Sequence, residues 1–213
     1  MHFYGFFRSS AAYRCRIAFN LKGIVPDFSS VVMRKGEHRT PEFLKLDPQG
    51  LVPVLETDGH CLTQSLAIIE WLEETIPTPP VLPRAPFDRA HVRALALSIA
   101  CDVHPLQNVR VLNHLKNELG QDQASLDRWC RKWIEGGLAA YEAMLEQAGT
   151  ASAFSFGDTP TMADICLVPQ LFSAERFGAD LSAHQHLTRI KANCDAHPAF
   201  AAAHPSRQPD AEV

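Results

Sequence analysis

The rhythm of apolar and polar positions changes along this chain, and the change divides it. Near the start, His2-Phe3-Tyr4-Gly5-Phe6-Phe7 is a compact apolar run that predicts a strand over 2–7, and residues 27–33 predict another. Between them Tyr13, Ile17 and Leu21 recur at a spacing of four, the one-face signature of a helix that Ser10 is placed to cap and Gly23 to end. Thr40-Pro41 sets a capping hydroxyl before a proline at the first helical position, ahead of Phe43 and Leu44. Residues 53–57 and 60–63 flank Asp58-Gly59, which supply the positive φ angles of a tight hairpin, and a helix capped by Ser65 follows to about Thr75. From Asp88, read as a cap, only helical periods remain. One helix runs through Val92, Leu95, Leu97 and Ile99 toward Leu115, and a second covers 125–147 with Trp129, Trp133, Leu138, Tyr141 and Leu145. A third, Ile165 to Phe172, stands behind the capping box Thr161-Met162-Ala163-Asp164, with Pro160 and Ile165 as its staple. Trp129, Trp133 and Tyr141 read as core packing, and the alanine- and proline-rich tail from Ala201 reads as loose.

Five prolines, Pro77, Pro79, Pro80, Pro83 and Pro86, fall where the rhythm changes, and neither helix nor central strand continues through such a cluster. The expected organisation is therefore α/β plus all-α: a first domain over 1–80, a linker over 81–87 and a helical bundle over 88–213. The order βαβ, then α, then ββα in the first domain is that of a thioredoxin-like fold. With 213 residues, 46% of them hydrophobic, the chain can bury a substantial core. A net charge of −4, with no basic stripe, argues against a nucleic-acid partner. The apolar start meets Arg8 too soon for a secretory signal, and no later run spans a bilayer, so a cytoplasmic protein is expected. The six cysteines show no Cys-x-x-Cys spacing and read as reduced, mostly buried thiols. No metal site is expected, because Asp102-x-His104 and His184-x-His186 each lack further ligands.

Two segments carry chemistry. In Gln49-Gly50-Leu51-Val52-Pro53-Val54-Leu55 the Val-Pro amide admits a cis bond that turns backbone groups toward a bound peptide. Downstream, the Ser65 hydroxyl and the first amides of its helix make a seat for a carboxylate. Backbone pairing plus a carboxylate seat describes a peptide-like ligand. Arg8-Ser9-Ser10 lies where the first strand gives way to the first helix, a place that favours an anion such as a thiolate. The plainer reading, that these serines only cap the helix, stays open on residue chemistry alone. In the second half, His104 and Asn108 are expected to share a helix face with Arg110 off it. Arg8 and Arg176 offer guanidinium forks suited to carboxylates.

Residues 5–23, containing Arg8-Ser9-Ser10-Ala11-Ala12-Tyr13-Arg14-Cys15-Arg16-Ile17-Ala18, resemble the opening of the zeta-class glutathione transferases, the maleylacetoacetate and maleylpyruvate isomerase family. That family reads Arg-Ser-Ser-Cys-Ser-x-Arg-x-Arg-Ile-Ala-Leu there, so its cysteine and following serine fall on Ala11 and Ala12. The likeness continues through residues 100–112, 167–170 and 174–177 and into His204-Pro205-Ser206-Arg207-Gln208-Pro209-Asp210. It implies a transferase fold, a homodimer and glutathione as cofactor. By the same resemblance Ser9 and Ser10 are catalytic. His38, Gln49, Val52, Pro53, Gln64, Ser65, Asp102, His104 and Asn108 bind glutathione, with Val52 pairing to its backbone and Gln64 and Ser65 holding its γ-glutamyl carboxylate. Arg8, His104, Arg110 and Arg176 bind a small dicarboxylate substrate. The implied reaction is the cis–trans isomerisation of a maleyl diketo acid; dehalogenation of small α-halo acids and a non-enzymatic binding module are the alternatives.

Overall fold

The structure, a computed structural model, describes residues 1–211, so the last two positions of the domain expected over 88–213 lie outside it. The chain forms two compact units, Met1–Pro80 together with the segment from His197 onward, and Val81–Ala196.

The first unit is built on a four-stranded sheet of β1 (His2–Gly5), β2 (Asp27–Ser30), β3 (Val54–Thr57) and β4 (His60–Thr63), in the order β2-β1-β3-β4. β1 and β2 are parallel, which requires a crossover, and α1 (Ser10–Lys22) provides it. β1–β3 and β3–β4 are antiparallel, the latter closed by Asp58 and Gly59 at φ 50° and 77° as the hairpin signal requires. Both early strands are shorter than the apolar runs suggest. The Phe6 carbonyl leaves the ladder to accept from the Ser9 amide and Arg16 Nη1, and beyond Ser30 the chain turns through two 3-10 turns at Met33–Lys35 and Glu37–Arg39. α2 (Pro41–Leu46) starts as expected, with Thr40 Oγ1 accepting from the Phe43 amide at 3.3 Å.

Ser9, not Ser10, caps α1. Its Oγ accepts from the Ala12 amide at 3.2 Å while Ser10 is already the first helical residue. Phe3, Ile17, Leu55, Ile68 and Leu72 fill the core under α1 and α3 (Ser65–Thr75), and a buried Lys22–Glu73 pair at 2.7 Å joins those two helices. The tail is not loose. α9 (Pro198–Ala203) lies on α1, receiving Arg16 Nε at the Ala203 carbonyl (3.1 Å) and Asn20 Nδ2 at the Ala199 carbonyl (2.8 Å). Asp210 then accepts from the Phe7 amide at 2.9 Å and the Ser30 hydroxyl at 2.8 Å. Burial draws the Arg16 guanidinium down to about 10, with Asp210 opposing.

In the second unit α4 (Pro86–Leu97) begins at a proline, with Ala85 at the cap position and Asp88 inside the first turn rather than capping it. The helix expected to reach Leu115 does not. It widens into a π-helical turn at Ser98–Val103, tightens into a 3-10 turn at His104–Gln107, and restarts as α5 (Val109–Asn117) under an Asn108 cap. Pro105 has no amide to donate, so an uninterrupted α-helix through it would lose a bond. His104 and Asn108 consequently do not share an α-helical face. α6 (Gln123–Ala148) is capped by Asp122, and α7 (Met162–Phe177) packs against α4, α6 and α8 (Gln185–Ala196). Gly137 on α6 lets Val103 approach so closely that a Cβ there would stand 2.1 Å from Val103 Cγ2.

The capping box forms: Asp164 accepts from the Thr161 amide (2.8 Å) and hydroxyl (2.9 Å), and also from the Ser155 amide (2.8 Å). Burial pushes the Asp164 carboxyl up, and those bonds pull it back. The aromatic set is only partly core. Tyr141 is fully buried and donates to Ser155 Oγ at 2.9 Å, Trp129 is half-buried with its indole on the Leu106 carbonyl, and Trp133 stands 37% exposed. All six cysteines are free; Cys15, Cys130, Cys166 and Cys194 are buried, while Cys61 and Cys101 are exposed. No helix of the described residues is long and apolar enough to cross a membrane.

Candidate active site

The first unit gathers most of its expected residues around the start of α3. Asp47 shapes the approach, accepting from the Gln49 amide at 3.1 Å and the Leu51 amide at 2.8 Å. Gly50 sits at φ 62°, and a Cβ on it would meet the His38 carbonyl at 2.7 Å, so this turn packs closely against the His38 backbone. Gln64 Nε2 donates to Gln49 Oε1 at 3.1 Å, tying the turn to the residue before α3. Val52 and Pro53 follow, joined by a cis peptide bond, and no hydrogen bond among the described residues engages the Val52 backbone.

Gln64 carries a φ of 68°, a region where residues other than glycine cost about 1–3 kcal/mol. In that conformation it offers no side-chain cap to α3, and the first amides of the helix keep their positive end open. Ser65, expected to cap the helix, is instead its first residue behind Gln64; it is buried at the head of those amides, and Arg14 Nη1 donates to its Oγ at 3.4 Å. Arg14 was not among the residues the sequence singled out; its Arg-x-Arg spacing with Arg16 was visible, but only the fold separates the two side chains' tasks. His38 is half-buried, and burial, helped by the neighbouring Arg39 charge, lowers its pKa below the ordinary value, so its ring is neutral near pH 7.

At the start of α1, the Ser9 oxygen that accepts from Ala12 retains its own proton to donate, and Ser10 stands one residue into the helix. Arg8, just before them, is exposed. A hydroxyl proton at a helix N-terminus stabilises a thiolate.

The remaining residues belong to the second unit. Asp102 is exposed in the π-helical turn, and His104 opens the 3-10 turn, partly buried. Asn108 spends its Oδ1 on the Arg110 amide at 3.3 Å, which leaves its Nδ2 as a donor. Arg110 is exposed in the first turn of α5, and Arg176, in the last turn of α7, lies 4.9 Å from the centroid of the Phe177 ring. His186 does meet further potential ligands, Glu142 and Glu146 within 4.8 Å. Both Glu142 oxygens, however, accept backbone amides at the start of α8, from His186 and Leu187, and the His186 Nδ1 accepts from Arg189. That cluster is a helix-end capping arrangement.

The profile of the glutathione S-transferase N-terminal domain matches residues 8–75, and that of the C-terminal domain matches residues 123–203. A maleylpyruvate isomerase from Ralstonia sp. is 46% identical over 210 residues, covering 99% of both chains. The holo structure of a maleylpyruvate isomerase described as a zeta-class bacterial transferase superposes with a TM-score of 0.97 at 46% identity, covering 100% of both chains. The crystal structure of a maleylacetoacetate isomerase from Methylobacterium extorquens AM1, with bound malonate and glutathione, superposes with a TM-score of 0.96 at 40% identity over 100% of both chains.

Proposed function

This chain belongs to the zeta class of the glutathione transferases, and from that premise we propose that it is a glutathione-dependent cis–trans isomerase converting maleylpyruvate or maleylacetoacetate to the fumaryl isomer. The observation that carries the glutathione half of this reading is the start of α3: a helix end without a side-chain cap, headed by a buried serine, beside an unengaged Val52 backbone. Those groups fit a tripeptide that ends in a carboxylate. Val52 pairs with its backbone; Gln64 and Ser65 take the γ-glutamyl carboxylate, and His38, Gln49 and Pro53 border it, with Asp102, His104 and Asn108 assigned by family resemblance. Glutathione supplies a thiolate that adds reversibly to the conjugated double bond, which frees rotation about it.

The chain's own part is electrostatic. Ser9 donates its hydroxyl proton toward the sulfur position, Ser10 assists, and the α1 amides favour negative charge there. Arg8, Arg110 and Arg176, with His104, are assigned to the carboxylates of the acid substrate, a role supported by the malonate bound with glutathione in a relative. A cytoplasmic homodimer completes the proposal. The deciding experiment follows the ultraviolet absorbance of maleylpyruvate and of maleylacetoacetate with purified protein, with and without glutathione. Glutathione-dependent conversion of either supports the reading, and halide release from α-halo acids with no isomerisation overturns it.

A further inference from the structure

We infer that Arg14 is the charged positioning residue of the carboxylate seat, aiming the Ser65 hydroxyl at the free α-carboxylate of the γ-glutamyl group. The inference rests on the proposed glutathione site and adds the charge that the site's other first-unit residues lack. Arg14 lies in the second turn of α1 and is 3% exposed. A guanidinium has five N–H donors and keeps its charge, so burying it without partners is costly. Yet its Nε and Nη2 are buried with no hydrogen-bond partner, and no carboxylate of the described residues pairs with it.

Arg16, two residues on, shows what a structural arginine does in the same helix: it donates to the carbonyls of Phe6, Phe7 and Ala203. Arg14 does nothing of the kind. The one group it reaches is Ser65 Oγ at 3.4 Å, which is the head of the helix end that has no side-chain cap.

The consequence is directional. A serine oxygen that accepts from Arg14 turns its own proton away from the guanidinium, toward whatever stands before α3. An anion there meets that proton, the α3 amides and, one atom behind, a full positive charge in a poorly screening interior. A carboxylate supplies the negative charge that Arg14 otherwise lacks. A neutral ligand would leave it uncompensated. The Gln64 conformation belongs to the same device, because it withholds the side-chain cap that would otherwise occupy the helix end.

The test compares two ligands by calorimetry: glutathione and γ-aminobutyryl-cysteinyl-glycine, which lacks only the carboxylate in question. Arg14→Met is expected to weaken glutathione by about tenfold or more, the equivalent of one charge-assisted bond, and to leave the analogue within about twofold. Arg14→Lys, which keeps the cation but not the fork, is expected to recover part of the loss and, should Arg14→Met not fold, to carry the same comparison by losing affinity for glutathione alone. Equal losses for both ligands would mean that Arg14 only supports the fold, and unchanged glutathione affinity would remove its role; either overturns the inference while the proposed function stands. A wild-type protein that binds no glutathione overturns the functional reading and this inference together. An analogue that binds wild type as tightly as glutathione overturns the inference even without a variant.

Discussion

Ser9 is asked to do two things with one hydroxyl. Its oxygen caps α1 by accepting from Ala12, and its proton is assigned to the thiolate, so Ser9→Ala removes about 1 kcal/mol of helix stability as well as a charge-stabilising donor. Turnover is expected to fall about a hundredfold, more than glutathione affinity does, because the donor acts on charge rather than on holding the tripeptide. Steady-state kinetics on Ser9→Ala, Ser10→Ala and the double variant check this: full turnover in the double variant would sink the serine mechanism. Ala11 and Ala12 add no polar group, which leaves the hydroxyls and helix amides to carry the charge. His38 gives a pH signature. Its folded pKa is lowered, chiefly by burial and then by Arg39, so the unfolded chain takes up the proton first and this contribution to stability falls as pH drops from about 6.5 through the folded pKa. An NMR titration is expected to place the His38 midpoint below the ordinary value, and a midpoint at or above it would refute the assignment.

Among the elements, α7 is anchored at its start by one buried side chain. Asp164 accepts two backbone amides and one hydroxyl inside the core of the second unit, and Asp164→Ala strands them. Each buried donor left alone costs roughly 1–3 kcal/mol, so a loss near 3 kcal/mol is expected in urea unfolding, with Asp164→Asn in between because it keeps one acceptor. A change below about 1 kcal/mol would show that the box is dispensable. The break after α4 is another element-scale feature. Apolar periodicity reads straight through Ile99 toward Leu115, but Pro105 interrupts the bond ladder and Asn108 starts a new helix, which alters the directions of His104, Asn108 and Arg110.

For the whole chain, the tail is the connection that no local pattern announces. Residues from His197 group with the first unit, where Asp210 holds the Phe7 amide two residues before Ser9. Asp210→Ala is expected to lower stability by about 1–3 kcal/mol and to speed hydrogen exchange at the Phe7 amide; unchanged protection there would show that the tail does not restrain this loop. The proposed homodimer is checked by sedimentation velocity, in which a monomer at micromolar concentration would contradict it.

Local chemistry was enough to predict the early strands followed by helices, the Asp58-Gly59 hairpin, the Thr40 cap, the Thr161–Asp164 box and the start of α3 near Ser65. Each depends on backbone geometry that neighbouring residues dictate, whether a proline's fixed φ, a positive φ at a turn or a hydroxyl within reach of an amide three residues on. Only the tertiary structure decided that Trp133 is exposed while Tyr141 is buried, and where the tail lies. Those outcomes turn on which surface arrives from a distant part of the chain. Arg14 and Arg16 make the point most plainly. They sit two residues apart on one helix with the same side chain; the partner of Arg14 lies 51 residues further along, while Arg16 joins the Phe6 and Phe7 carbonyls just before it to the Ala203 carbonyl 187 residues on. Folding gives Arg16 backbone carbonyls to satisfy and gives Arg14 only the serine at the head of a helix.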